Sequence, residues 1–293
     1  MMHRLLARLG RFALAIVVAL PLHAQTPAGK HIMYRVHGPN GATVYLLGSV
    51  HLLTPEAGKL PPIVDTAFAH AQTIAFETSL DSVVARAPEM VALARVAPGS
   101  SLRTMLSPAA ATKTDSLLHL YGMSLDQVAM FKPWFVSLLM TSLTMQKAGF
   151  QADYGVDMQL DKRAKQAGKP VIGLEGVDLQ LHLFDNLSAA QQERMLVASK
   201  GPDAAVAEMT SLKDAWLAGD AARLDSMLNA SAEMSPEMLD VMVVRRNRSW
   251  IPEIESLIKG KTDALVVVGA AHLVGKTGIV QMLRDKGYTV EQI

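Results

Sequence analysis

One local pattern occurs twice in this chain and limits what it can fold into. Residues 43–47 form a short β-branched and aliphatic run that leads into Gly48-Ser49-Val50-His51. Residues 264–268 form a second such run, leading into Gly269-Ala270-Ala271-His272. Each copy reads apolar strand, glycine, two small or aliphatic residues, histidine, then leucine, and the two histidines are 221 positions apart. In an open α/β sheet, ligands collect at the carboxyl ends of the strands. Glycine lets the backbone turn sharply there, and a histidine three positions on can point back over the strand ends. A single Gly-x-x-His is as readily a turn with a satisfied histidine, but two copies in the same context predict one shared site.

The surrounding chain supports that architecture. Short runs at 32–36, 43–47, 73–76, 171–174, 264–268 and 288–292 have β-branched or aliphatic character and are bounded by Gly, Pro or charge. The first two, joined by Gly38-Pro39-Asn40-Gly41, read as a hairpin. The fifth is apolar throughout, as expected of a strand covered on both faces. Residues 60–71, 108–121, 133–148, 155–167, 189–199, 203–217 and 236–258 carry apolar side chains at spacings of three and four and predict helices. Pro252 is expected to kink or restart the last of them. Lys132-Pro133-Trp134 reads as a helix entry with a packing tryptophan, and Tyr154-Gly155-Val156-Asp157 as a helix start with Asp157 in the first turn. The expected fold class is α/β: a central mixed sheet with two Gly-x-x-His strand-end turns and large helical insertions over 80–150 and 178–260.

Two glutamates occupy matching places. Glu77 follows the run at 73–76, and Glu175 follows the run at 171–174. A buried, unpaired carboxylate at a strand end is costly, so each is expected to serve the site, to meet a helix dipole or to pair with an arginine. Two imidazoles and one or two carboxylates, without thiolate, suit Zn²⁺, Mn²⁺ or Co²⁺. Such an ion lowers the pKa of water and polarises a carbonyl. The spacing is not that of the helical His-Glu-x-x-His zinc motif, which is absent. Arg245-Arg246-Asn247-Arg248 lies on the long helix before the final strands. An arginine there either stabilises an oxyanion, holds a substrate carboxylate, or belongs to a solvated basic face pairing with acids such as Glu253.

Arg4, Arg8 and Arg11 precede an apolar run over 12–20, then Pro21 and Leu22-His23-Ala24. About nine apolar residues are too few for a membrane span, which needs roughly 20. Residues 1–24 therefore read as an export signal and 25–293 as one α/β domain, periplasmic or secreted, with no membrane span after signal removal. Removal takes three of the 28 bases and no acid, leaving 25 bases against 27 acids, which argues against nucleic acid as a partner. With no cysteine in the chain, any metal must be held by His, Asp or Glu. The 17 methionines are expected to pack helices.

In order and spacing, several landmarks resemble the TraB/GumN family, related to the Tiki metalloproteases and to the erythromycin-esterase and ChaN-like fold. They are Gly48-Ser49-Val50-His51, Phe76-Glu77, Lys132-Pro133-Trp134, Gly155-Val156-Asp157, Leu174-Glu175 with Gln180, Trp216 with Gly219-Asp220, Arg246-Asn247 with Trp250, and Gly269-Ala270-Ala271-His272. The resemblance covers nearly the whole chain after residue 24. It implies a central sheet with the two Gly-x-x-His motifs paired across it and, in the Tiki branch, metal-dependent cleavage of peptide bonds in a peptide or protein substrate. It makes His51, Glu77 and His272 the metal and water-activating set and adds Arg246, and less strongly Glu175, to the catalytic candidates. Gly176 and Asp178 stand where relatives often carry Thr and Glu. Two other functions suit the same fold: a non-catalytic protein that sequesters a peptide or polysaccharide, and a ChaN-like haem- or iron-binding protein.

Overall fold

The computed structural model describes residues 29–230 and 235–293, so the expected export signal lies outside the described residues. Six strands form one sheet: β1 Met33–His37, β2 Thr43–Ser49, β3 Thr73–Phe76, β4 Val171–Gly173, β5 Ala264–Gly269 and β6 Val290–Gln292. Their order is β4-β3-β5-β2-β1-β6. The first four are mutually parallel, while β1 runs antiparallel to both β2 and β6. The expected α/β class, the mixed sheet and the β1–β2 hairpin are all present. β5 lies between β3 and β2, and every residue from Ala264 to Val268 is buried, which is why that run carries no polar alternation.

The register sets the site. Gly48 pairs with Val268 and Ser49 with Gly269, so the two Gly-x-x-His turns leave the sheet side by side. Phe76 pairs with Val267 on the other side of β5, bringing Glu77 to the same edge. Beyond β3 and β4 the pairing continues, with Leu174 N–H donating to Phe76 O at 2.9 Å and Glu175 N–H to Glu77 O at 2.8 Å. A slip of one residue in any of these pairings would turn the whole set to the opposite face.

Helices fill the connections. Those from Leu80–Ala85 to Val156–Gln166 lie between β3 and β4, and those from Val177–His182 to Arg245–Ile258 between β4 and β5. The two insertions meet where Pro133–Lys147 packs on Ala189–Ala198. There a second apolar core forms around Leu102, Leu118, Leu125, Val136 and Leu196, separate from the one that sandwiches the sheet. Trp134 is fully buried, as its helix-entry position implied. No helix among the described residues is long and apolar enough to cross a membrane.

The helix expected over 236–258 is present but not uniform. A π turn at Asp240–Val244 separates Pro236–Leu239 from Arg245–Ile258, which runs on through Pro252 without interruption. Of the kink or restart expected at Pro252, the restart is absent: Pro252 and Arg248, four residues before it, are both exposed, so water can satisfy the carbonyl that proline leaves free.

Glycine at position 48 is required by close approach: a Cβ there would run into the Ile32 side chain and the Ala270 backbone. Its carbonyl also accepts from Trp216 Nε1 at 2.7 Å, fastening the helix Pro202–Leu217 to the first turn. Gly48→Ala is expected to lower stability by about 1–3 kcal/mol, the usual cost of overpacking, read as a fall in the urea midpoint at unchanged m-value.

Candidate active site at the carboxyl ends of the parallel strands

The four parallel strands deliver Glu175, Glu77, His272 and His51 to one edge of the sheet in that spatial order. The point of closest convergence is Gly269. A methyl group on its Cα would lie 3.2 Å from Glu77 Oε1, 3.5 Å from His272 Cδ2 and 3.8 Å from His51 Nε2. Glycine at the second turn thus keeps open the space that these three groups share.

Glu77 is held on both oxygens. Oε1 accepts the Gly269 N–H at 2.7 Å, and Oε2 accepts Arg246 Nη2 at 2.6 Å. Burial would raise its pKa, but the His272 imidazole, the Arg246 guanidinium and His51 more than offset that, and the carboxyl is lowered to about 2. Glu175, with a side chain 4% exposed, takes Arg246 through Nε and Nη2, Gln180 Nε2 at 2.6 Å and Trp250 Nε1 at 2.9 Å.

Arg246 sits between the two carboxylates with its side chain 8% exposed. Its remaining Nη1 donors reach Met242 O at 3.0 Å and His272 Nε2 at 3.2 Å, so all five N–H groups are engaged. The guanidinium also lies 4.8 Å from the Trp250 ring centroid. The neighbouring Arg245 and Arg248 are exposed, as a solvated basic face requires; Arg246 belongs to the site instead.

A guanidinium can only donate, so His272 Nε2 presents its lone pair and the ring proton lies on Nδ1. That proton is directed at Asn247 Oδ1 at 2.6 Å, while Asn247 Nδ2 donates to Thr277 O at 2.8 Å. Burial is the main cause of a His272 pKa lowered to about 4, which keeps the ring neutral. His51 differs, its side chain being 62% exposed. Packing against the wall opposes its charge, and the carboxylates of Asp157 and Glu77 override that, so its pKa is raised. Open water on the exposed side screens part of this attraction.

Asp157 was expected only to start a helix. It does occupy the first turn of Val156–Gln166, but its Oδ1 stands 3.1 Å from His51 Nδ1, in an ion pair too oblique to count as a hydrogen bond. Ser49 is a second group that sequence reasoning passed over: it is 4% exposed, and its Oγ has no hydrogen-bond partner. Its position inside the Gly-x-x-His turn was the available signal.

Two chambers open from this centre, of about 190 and about 410 Å³. Ser49, His51 and Glu77 line both, Arg246 and His272 line the larger, and Glu175 lines neither, standing behind Arg246. A larger but open depression, about 710 Å³, follows the charged helix Val156–Gln166 and touches none of the convergent groups.

With this geometry, comparison with known proteins is informative. The model of the TraB/PrgY/gumN family matches residues 32–292. The chain belongs to that family. It is 26% identical over 262 residues to the protein YbaP of Escherichia coli (strain K12), covering 84% of this chain and 89% of that one, and equally to YbaP of Shigella flexneri. It is 25% identical over 188 residues to a metalloprotease TIKI homolog of Amphimedon queenslandica, across 55% of this chain and 37% of that protein. No solved structure matches the chain significantly.

Two outcomes test the electrostatics. The free imidazole titrates at 6.5 and the folded His272 at about 4, so between these values the unfolded state binds more protons. Stability is therefore expected to fall as pH drops through that window, by up to about 1.4 kcal/mol per pH unit from this one group. His272→Asn should flatten the slope in chemical denaturation at pH 4 to 7 in metal-free buffer. Arg246→Met leaves two buried carboxylates without their cation and is expected to cost about 3–5 kcal/mol, measured by the same denaturation at pH 7.

Proposed function

We propose that this chain is an exported, metal-dependent hydrolase that cleaves peptide or protein substrates at the junction of His51, Glu77 and His272. The reading is carried by the convergence of two imidazoles and one ionised carboxylate on the bare face of Gly269. Family membership and the similarity to a metalloprotease TIKI homolog support it.

The donor chemistry suits a divalent transition metal, Mn²⁺, Co²⁺ or Zn²⁺, held by His51, Glu77 and His272. His272 is neutral, with its Nδ1 proton tied to Asn247, and His51 faces Asp157 through Nδ1 while Nε2 points inward; imidazoles that bind metals are oriented in this manner. Such an ion, when bound, lowers the pKa of water and polarises a substrate carbonyl. The chain's own groups do the arranging. Glu77 remains an anion through the neutral pH range, and Gly269 N–H fixes its Oε1. With every donor engaged, Arg246 positions both carboxylates and has no N–H left for an oxyanion.

One observation favours a second reading. Arg246 Nη1 already faces the His272 lone pair, and among the described residues no three His, Asp or Glu side chains stand in closed ligand geometry. A non-catalytic binding protein on the same fold would look like this.

Elemental analysis of the chain purified without chelator separates the two. The hydrolase reading expects about one equivalent of transition metal, as a single three-ligand site would hold. A His51→Ala/His272→Ala double variant should fold but lose both the metal and Mn²⁺- or Co²⁺-dependent cleavage of a peptide library. No metal after reconstitution with all three ions, together with no cleavage, would sink the hydrolase reading in favour of the binding protein. Export is checked in the same preparation, where amino-terminal sequencing is expected to begin at residue 25.

A further inference from the structure

The larger chamber is unlike the centre from which it opens. Its outer walls are two consecutive helices, Pro202–Leu217 and Ala221–Ala230. Met209 and Leu212 project from one face of the first, and Leu224, Met227 and Leu228 from one face of the second, at the three- and four-residue spacing of a helix stripe. Glu208 is the one lining carboxylate outside the polar centre, and it is paired with Lys200 at 2.5 Å. Away from the polar centre the chamber therefore offers mainly apolar surface, and it ends at Ser49, whose buried hydroxyl has no partner within the protein.

We infer that this chamber selects the substrate: it seats one bulky aliphatic or aromatic side chain of a peptide, while Ser49 Oγ donates to the carbonyl oxygen of that same residue. The inference rests on the peptide-hydrolase reading of the centre and specifies its substrate class. Four observations support it. A volume of about 410 Å³ suits a ligand pocket and leaves room for backbone beside a side chain. Against the wall of Met209, Leu212, Met227 and Leu228 a charged or strongly polar side chain would lose water without gaining a partner. Methionine walls, unbranched and polarisable, adapt to aliphatic and aromatic shapes alike. The Ser49 hydroxyl is tied to no other protein group, so it can donate to a ligand without breaking a hydrogen bond within the protein. A second chamber shares Ser49, His51 and Glu77 with the first.

The test reads binding directly, with no metal added. The full chain is labelled with ¹³C-methyl methionine and titrated with N-acetyl-Leu-Ala-amide, N-acetyl-Gly-Ala-amide and N-acetyl-Asp-Ala-amide. The Met209 and Met227 methyl resonances are expected to shift, with the leucine peptide binding at least about tenfold tighter than the glycine one. Met209→Trp and Met227→Trp, both partly exposed positions, should fill the chamber and erase that preference while leaving the melting temperature near its original value. Ser49→Ala should weaken the leucine and glycine peptides alike, by about fivefold, the worth of one neutral hydrogen bond. Equal affinity for leucine and glycine peptides, or a preference that survives both tryptophan variants, overturns the inference.

The two readings fail separately. A leucine preference in a protein that takes up no metal and cleaves no peptide with Mn²⁺, Co²⁺ or Zn²⁺ leaves the pocket standing and removes the hydrolase. Cleavage of a peptide library with no apolar residue enriched beside the cut bond keeps the hydrolase and removes the pocket.

Discussion

One guanidinium holds two buried carboxylates at the ends of neighbouring parallel strands, and the rest of the site hangs on that contact. Glu77 and Glu175 lie side by side because β3 and β4 pair in parallel up to them. Left alone, each would carry a large desolvation cost and repel the other. Arg246 answers both from a helix that comes late in the chain, so the contact ties the second helical insertion to the sheet. Trp250, one turn along, donates to Glu175 and packs its ring 4.5 Å from that of His272. The π turn just before Arg246 supplies the Met242 carbonyl that takes one of its last donors. Irregular turns of this kind are common where a helix must aim a side chain at a site, and here it aims Arg246 at the two carboxylates.

Parallel pairing of β2 with β5 provides the second constraint. It turns a repeat separated by 221 positions into two adjacent turns. The copies then diverge in chemistry because their surroundings differ. His272 is enclosed, neutral and tied to Asn247; His51 is open to water and faces a carboxylate. The same four-residue motif thus yields one fixed lone-pair donor and one exposed imidazole that attracts a proton.

Much of this was legible in the sequence. All six strands stand where their β-branched runs predicted, and the seven expected helices form because each buries an apolar stripe. Three of the helices that escaped notice have a physical reason to do so. Leu80–Ala85 and Ala87–Leu93 bury no residue, so no periodic apolar signal marks them. Ala221–Ala230 buries only Leu224 fully, and Met227 and Leu228 line the chamber, so the helix carries a weak core stripe. The methionines divide on the same line. Met140 and Met145 pack helices as expected, whereas Met209 and Met227 line the chamber. Asp157 was hidden by a competing local explanation, since an acid in the first turn of a helix satisfies the dipole and needs no distant partner. Arg246 was indistinguishable from Arg245 and Arg248 in composition. Only the rotation of the helix against the sheet buries the one and exposes the other two.

The charges around Gly269 explain why His51 behaves as it does. Three carboxylates, Glu77, Glu175 and Asp157, are set against a single guanidinium, and His272 adds no charge while neutral. The cluster is formally anionic, so whatever occupies its open side is drawn there as a cation. His51 responds to this field: burial opposes its charge, but Asp157 and Glu77 together raise its pKa, whereas the more enclosed His272 stays neutral. A divalent ion would meet the same field more fully than a proton, and binding it would release that proton. Glu77 is the fixed point in either state, because Gly269 N–H and Arg246 keep it ionised and in place. The other side of the site is the apolar chamber, where the anionic centre gives way abruptly to a wall of methionine and leucine.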